Sequence, residues 1–332
     1  MRFVLLLARV LASCLAVLIV VDLGLRVAFP HFLRVHDNFS AAYLRREITE
    51  GGLDRKVVFL GDSVLWGYRL HPAQAAVSQL SADGIPAENL SFEGGSTVNT
   101  YAILRLMTAW HIKPRAVVFN VNLKEFNAED SAYRTLYPGL EQLVWPYLTR
   151  HERSLLKETQ KNTLDAKLDR FLSNHWMLYG MRADIRATLF GSADAGSAVH
   201  AMVNYYSGEY AREQLAHQPT PDKFLGTYDL TPLDDTNVEV VYLQKIVSLL
   251  KSQHIEAYAL LTPQNHQLLH DYIDTPEYDQ QLAYVAHILR PGGVHVLDYD
   301  KSIPPRDFLD NDHLTVSGNR RLASMLRRDV NV

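Results

Sequence analysis

The chain has 332 residues, with 33 Lys and Arg against 37 Asp and Glu, a formal net charge of -4, 47% hydrophobic residues and no low-complexity tract. That balance argues against a nucleic-acid binder, which would show a basic surplus or stripe, while the length admits one large α/β domain with insertions or two modest ones. The single cysteine, Cys14, excludes an intrachain disulfide and, beyond the first segment, a cysteine nucleophile or cysteine-based metal site.

From Phe3 to Val21 the chain is apolar apart from Arg9 and the small Ser13. As a helix this run spans about 28 Å, close to the roughly 30 Å of bilayer hydrocarbon. Arg9 lies in the first half, where its long stem can snorkel toward the near headgroups. Leu11-Ala12-Ser13-Cys14 resembles a lipoprotein signal, yet Leu15 to Val21 stays apolar where a mature lipoprotein turns polar. A cleaved signal peptide would need a shorter apolar stretch and a small-x-small site. Residues 1–25 therefore read as an uncleaved anchor, embedded through residues 3–21. Arg2 and Arg9 before the span and Arg26 and Arg34 after it leave the orientation open.

Residues 26–54 read as a linker and first helix, punctuated by Pro30 and Gly51-Gly52. Lys56–Leu60 is a short β-branched and apolar run expected to form a strand buried on both faces. Gly61-Asp62-Ser63 follows, and the chain after it reads as helix to about Ser81. Asn89–Phe92 is a second strand ending at Gly94-Gly95, Thr100–Trp110 has helical spacing, and Ala116–Asn120 is a third strand.

Between 126 and 235 strand signals cease, and long helical stretches are expected over Gln142–Thr163 and Leu164–Leu189. This segment reads as an inserted helical cap. Trp145, Tyr147, Trp176, Tyr179, Tyr205 and Tyr206 would line a cleft there or pack the cap on the domain. Alternation then resumes over 236–332: helix Val238–Gln253, strand Glu256–Leu261, helix Pro276–Leu289 capped by Thr275, strand Gly293–Leu297 and helix Ser317–Arg327. Residues 55–125 and 236–332 thus form two halves of one three-layer α/β sandwich with a central parallel sheet. Ligands of such sheets sit at the carboxyl ends of the strands.

Two loops at those ends carry reactive residues. Ser63 stands just past the first strand, and a serine hydroxyl needs a base, itself oriented by a carboxylate, to become a nucleophile. Asp310-Asn311-Asp312-His313 follows the last strand and supplies both. Asp310 has the better spacing as orienting group, with Asp312 as the other choice. His266 and His270, four apart, could share a helix face, but lack the glutamate of His-Glu-x-x-His. No metal and no cofactor is expected.

The same residues resemble the SGNH (GDSL-type) hydrolase superfamily over the two α/β segments. Gly61-Asp62-Ser63-Val64 matches its first block, Asn89-Leu-Ser-Phe-Glu-Gly94 the spacing of its second, Asn120-Val121-Asn122 its Gly-x-Asn block with Asn120 in place of glycine, and Asp310-x-x-His313 its last. The resemblance implies a flavodoxin-like fold, a Ser63–His313–Asp310 triad, and an oxyanion hole from the backbone amides of Ser63 and Gly94 and the side-chain amide of Asn122, with Gly95 as the alternative to Gly94. The anchor and the large insertion are similar to the superfamily's envelope branch, whose members act in alginate acetylation and teichoic-acid D-alanylation. That implies ester hydrolysis or O-acyl transfer on an acylated envelope glycan or polymer, beside a polytopic membrane acyltransferase. The soluble part would then lie in the periplasm, at the cell inner membrane. A non-catalytic scaffold of the same fold, recruiting such a complex, is the competing expectation.

Overall fold

The computed structural model describes residues 2–28, 41–127, 135–156, 220–224, 226–230 and 233–330, with isolated positions between 164 and 179. Five parallel strands form one sheet: β1 (Val57–Leu60), β2 (Ala87–Asn89), β3 (Ala116–Val121), β4 (Glu256–Leu261) and β5 (His295–Asp298), in the order β2-β1-β3-β4-β5. Burial explains their composition. β1 and β3 are buried at every position, as strands covered on both faces must be, whereas β5 at one edge is only partly covered.

The helices are α1 (Arg2–Ala28), α2 (Ala41–Glu50), α3 (Ser63–Trp66), α4 (Ala76–Ala82), α5 (Thr97–Ala109), α6 (Pro138–Val144), α7 (Arg150–Leu155), α8 (Val238–Ser252), α9 (His266–Ile273), α10 (Pro276–Leu289) and α11 (Val316–Asp329). Alternate strand residues divide them between two faces. Val58, Leu60, Val117, Phe119, Ala257 and Ala259 pack with α5, α8 and α10, while Val57, Phe59, Val118, Tyr258 and Leu260 pack with α4 and α11. The result is the three-layer α/β arrangement expected.

Several boundaries differ from expectation for local reasons. The helix after Ser63 stops at Trp66, because Gly67 turns left-handed at φ +84, and a Cβ there would meet Ala75 Cβ at 2.6 Å. Pro72 opens a separate 3₁₀ turn before α4 begins. The second strand pairs over Ala87–Asn89 rather than from Asn89 to Phe92, although the amides of Leu90 and Phe92 still bond to the carbonyls of Phe59 and Gly61. The long helix expected from Gln142 is broken: α6 gives way to a 3₁₀ turn at Trp145–Tyr147, and Thr149 caps a new short helix with a capping box to Glu152. Most of the Leu164–Leu189 helix, and Tyr205 and Tyr206, lie outside the described residues. Trp145 and Tyr147 pack against the core, and Trp110 Nε1 donates to the Tyr147 hydroxyl at 3.0 Å.

The two ends of the insertion meet. Asn127 Nδ2 donates to the carbonyls of Gly226 and Thr227, and Asn237 Nδ2 donates to the carbonyl of Phe126. In α1, Val10, Leu15, Val17, Ile19, Val20 and Leu23 are exposed. Among the described residues no helix is long and apolar enough to cross a membrane. The span expected over residues 3–21 includes positions 3–8 and 11, whose side chains lie outside the described ones.

Candidate active site

At the carboxyl end of β1 the chain makes a sharp turn. Gly61 has φ +144, a conformation that L side chains rarely adopt, and a Cβ there would lie 1.6 Å from Asn120 Oδ1. That oxygen accepts the Asp62 amide at 3.0 Å, and Asn120 Nδ2 donates to Thr262 Oγ1 at 3.1 Å. The Asn120 side chain therefore ties β1, β3 and the loop after β4. Asp62 then caps α3, its carboxylate accepting the Val64 amide at 2.8 Å. Ser63 follows at the first helical position, its hydroxyl facing the last loop of the fold.

That last loop is closed by an antiparallel bridge between Phe308 and Leu314 and by the bond from the Leu309 amide to the His313 carbonyl at 2.7 Å. Inside it Asp310 Oδ1 accepts the amides of Asp312 and His313 at 3.2 and 2.9 Å. Asn265 holds the outside: its amide bonds to the Asn311 carbonyl and its Nδ2 to the Asp310 carbonyl. Thr315 caps α11, which begins three residues after the histidine and gives the loop a rigid base.

The two loops meet. Ser63 Oγ and His313 Nε2 are 2.7 Å apart, and His313 Nδ1 lies 2.8 Å from Asp310 Oδ2 and 2.9 Å from Oδ1. A carboxylate only accepts, so Nδ1 carries the proton and Nε2 is left to accept the serine O–H. Burial opposes charge on the imidazole, but the carboxylates of Asp312 and Asp310 outweigh it and raise His313 above its ordinary value, with Lys124 acting against them. Burial also opposes charge on Asp310, yet its bonds to His313 and the backbone amides hold it down at about 2. The Tyr68 ring covers the imidazole, with centroids 4.2 Å apart.

Gly94 lies on the neighbouring loop, third in the turn closed by the Gly95 amide and the Phe92 carbonyl at 3.1 Å. Its φ of +71 suits glycine, and open space lies where a Cβ would stand. Gly95 is different: its Cβ would meet the Gly61 carbonyl oxygen at 2.1 Å, so it serves close packing of one loop on the other.

Asn122 departs from expectation. It is 0% exposed, and its Nδ2 donates to Asp62 Oδ2 at 2.9 Å and to Asp312 Oδ2 at 2.7 Å. A primary amide has two hydrogens; both are committed, and in this arrangement none points at a reacting carbonyl. Its Oδ1 accepts Gln264 Nε2 at 3.1 Å, and Gln264 Oε1 accepts the Tyr228 hydroxyl at 2.8 Å. Lys124 Nζ forms an ion pair with Asp312 Oδ2. Beneath them Glu125 is buried, and burial, with the nearby Asp62 and Glu239, pushes its carboxyl well above the usual range. Sequence reasoning missed Lys124, Glu125, Gln264, Tyr228 and Tyr68. The first two follow Asn122 within three positions, and Tyr68 follows Ser63 by five, which is the only trace they leave in the chain.

Among the described residues one group of possible metal ligands occurs: Asp310, Asp312 and His313. Both ring nitrogens of His313 already have partners, and an ammonium sits on Asp312. His266 and His270 do not act together. His266 bridges Asp274 at 2.6 Å and Asp300 at 2.8 Å, while the exposed His270 pairs with Asp271. A family model describing a domain of unknown function matches residues 235–332, the part that carries β4, β5 and the His313 loop. No curated protein matches the chain.

Proposed function

We propose that this chain is a serine-dependent acyl-transfer enzyme of the SGNH/GDSL type, working by an acyl-Ser63 intermediate. The observation that carries the reading is the continuous relay from Ser63 Oγ through His313 to Asp310, at 2.7 and 2.8 Å. Those are the distances general-base activation requires.

In the reaction, Ser63 Oγ attacks the acyl carbonyl while its proton passes to His313 Nε2. Asp310 holds the imidazole in the required tautomer and stabilises the imidazolium. Negative charge on the carbonyl oxygen is assigned to the backbone amides of Ser63 and Gly94, fixed donors that need not reorganise. Collapse breaks the ester bond, and the departing alkoxide takes the proton from His313. A second nucleophile then gives its proton to His313 and attacks the acyl-serine, and Ser63 recovers its own proton as it leaves. Water in that step completes ester hydrolysis; a sugar or polyol hydroxyl completes O-acyl transfer.

The cell envelope is the proposed setting. The apolar run over residues 3–21, with exposed Val17, Ile19 and Val20, supports an anchor in the inner membrane. The soluble part would then face the periplasm. The layout also supports an acylated glycan or polymer as substrate and a polytopic membrane acyltransferase as partner.

Fluorophosphonate labelling tests the enzyme reading. The native protein should be tagged at Ser63, and the tag should vanish in Ser63→Ala and in His313→Ala. Absence of any tag on the folded native protein would favour the scaffold reading instead. An alkaline phosphatase fused after residue 332 should be active outside the cytoplasm.

A further inference from the structure

His313 faces two carboxylates, and a serine-type triad uses one. Asp310 binds Nδ1 directly, whereas Asp312 Oδ1 stands 3.5 Å from the same nitrogen. Asp312 is fully buried, and a buried carboxylate is costly unless it is paired and hydrogen-bonded. Its pairing comes from one short segment after β3: the Asn122 amide donates to Oδ2, and the Lys124 ammonium contacts the same oxygen.

We infer that Lys124 is a positioning residue, whose ammonium on Asp312 counters part of the second carboxylate's pull on the catalytic imidazole. The inference rests on the serine acyl-transfer reading of this site.

The groups around the imidazole come from three elements. Asp310 and Asp312 belong to its own loop, Lys124 to the loop after β3, and the Tyr68 ring to the turn after α3. Asp62 lies one step away, behind Asn122, with Glu125 beside it. The Arg69 guanidinium lies over the Tyr68 ring, at 4.6 Å; Lys124 is the cation whose charge opposes protonation of His313, while both carboxylates favour it. A base that remains protonated at neutral pH cannot take the serine proton. Without the ammonium, the fixed charge of Asp312 would hold the imidazolium and idle the enzyme on the acid side. The second carboxylate thus links the base loop to the nucleophile loop through Asn122, and Lys124 offsets part of its pull on the imidazole.

The test is the pH dependence of fluorophosphonate labelling at Ser63 in the full-length protein. In Lys124→Met the acid limb should move up by about one pH unit, slowing labelling on that limb about tenfold. In Asp312→Asn the limb should move down, and Lys124→Arg should restore the native profile. Opposite shifts are not expected from a purely structural tie. An unmoved limb in Lys124→Met, or an upward shift in Asp312→Asn, overturns the inference while leaving the triad intact. Thermal unfolding identifies a variant that fails to fold, and if Lys124→Met does, Asp312→Asn decides alone. A native protein that takes no label refutes the underlying enzyme reading.

Discussion

Asn120 fills the space beside Gly61 so closely that its Oδ1 lies 1.6 Å from the point where a Cβ on residue 61 would stand. The same oxygen accepts the amide of Asp62, so the turn before Ser63 and the end of β3 are shaped by one contact. Gly61→Ala should therefore cost stability twice, through the clash and through a φ of +144, together about 2 kcal/mol or more. Asn120→Gly in the same protein should recover part of the loss by removing the clash. Urea unfolding of the two single variants and the double variant measures this coupling; strict additivity would count against the shared contact.

Asp310→Asn should leave the fold intact, since an amide oxygen can still accept the loop amides. Its NH₂ would turn toward Nδ1 and favour the tautomer in which Nε2 carries the proton. Labelling of Ser63 should fall by about 10³–10⁴-fold with little change in melting temperature. Near-native labelling would show that Asp310 does not orient the base.

Asn122→Ala separates two roles. An oxyanion donor would be missed mainly in rate. The observed bonds to Asp62 and Asp312 instead predict a stability loss of about 1–3 kcal/mol, because two buried carboxylates lose a donor. The comparison to make is melting temperature against labelling rate. A slow but fully stable variant would return Asn122 to the oxyanion hole.

Glu125 is raised above its ordinary value of 4.5 by burial and by Asp62 and Glu239. The unfolded chain releases this proton above about 4.5, while the folded chain keeps it. Its contribution to stability is thus complete at low pH and declines as pH rises through that window. Glu125→Gln, which cannot ionise, should match the native protein near pH 4 and exceed it in melting temperature at pH 7 to 8. A deficit that grows with pH would contradict a protonated Glu125.

His266 is opposed by burial but raised on balance above 6.5 by Asp300 and Asp274, which accept from its two ring nitrogens in the charged form. Its stabilisation is fully present below 6.5 and is lost as pH rises through the folded value. The melting-temperature gap between the native protein and His266→Gln should be largest near pH 6 and narrow at alkaline pH. A gap independent of pH would mean that His266 bridges the two carboxylates in its neutral form.

Chain order and local composition already carry the alternation that makes an open parallel sheet, because strands buried on both faces are mostly apolar, as Val57–Leu60 and, Asn120 apart, Ala116–Val121 are. They also mark Ser63, Asp310 and His313, since each sits in a short motif just past a strand, where local spacing carries the chemistry. The cap at Thr275 is readable for the same reason: a capping side chain acts within three residues of itself. Tertiary structure alone decided the destination of Asn122, whose partners lie 60 and 190 positions away, and the pairing of Lys124 with Asp312 across 188. Such choices depend on which buried donors and acceptors the packed sheet brings together, and no local propensity records them. The breaks at Gly67 and Trp145 belong to the same class, because each reflects the space that neighbouring segments leave once they have packed.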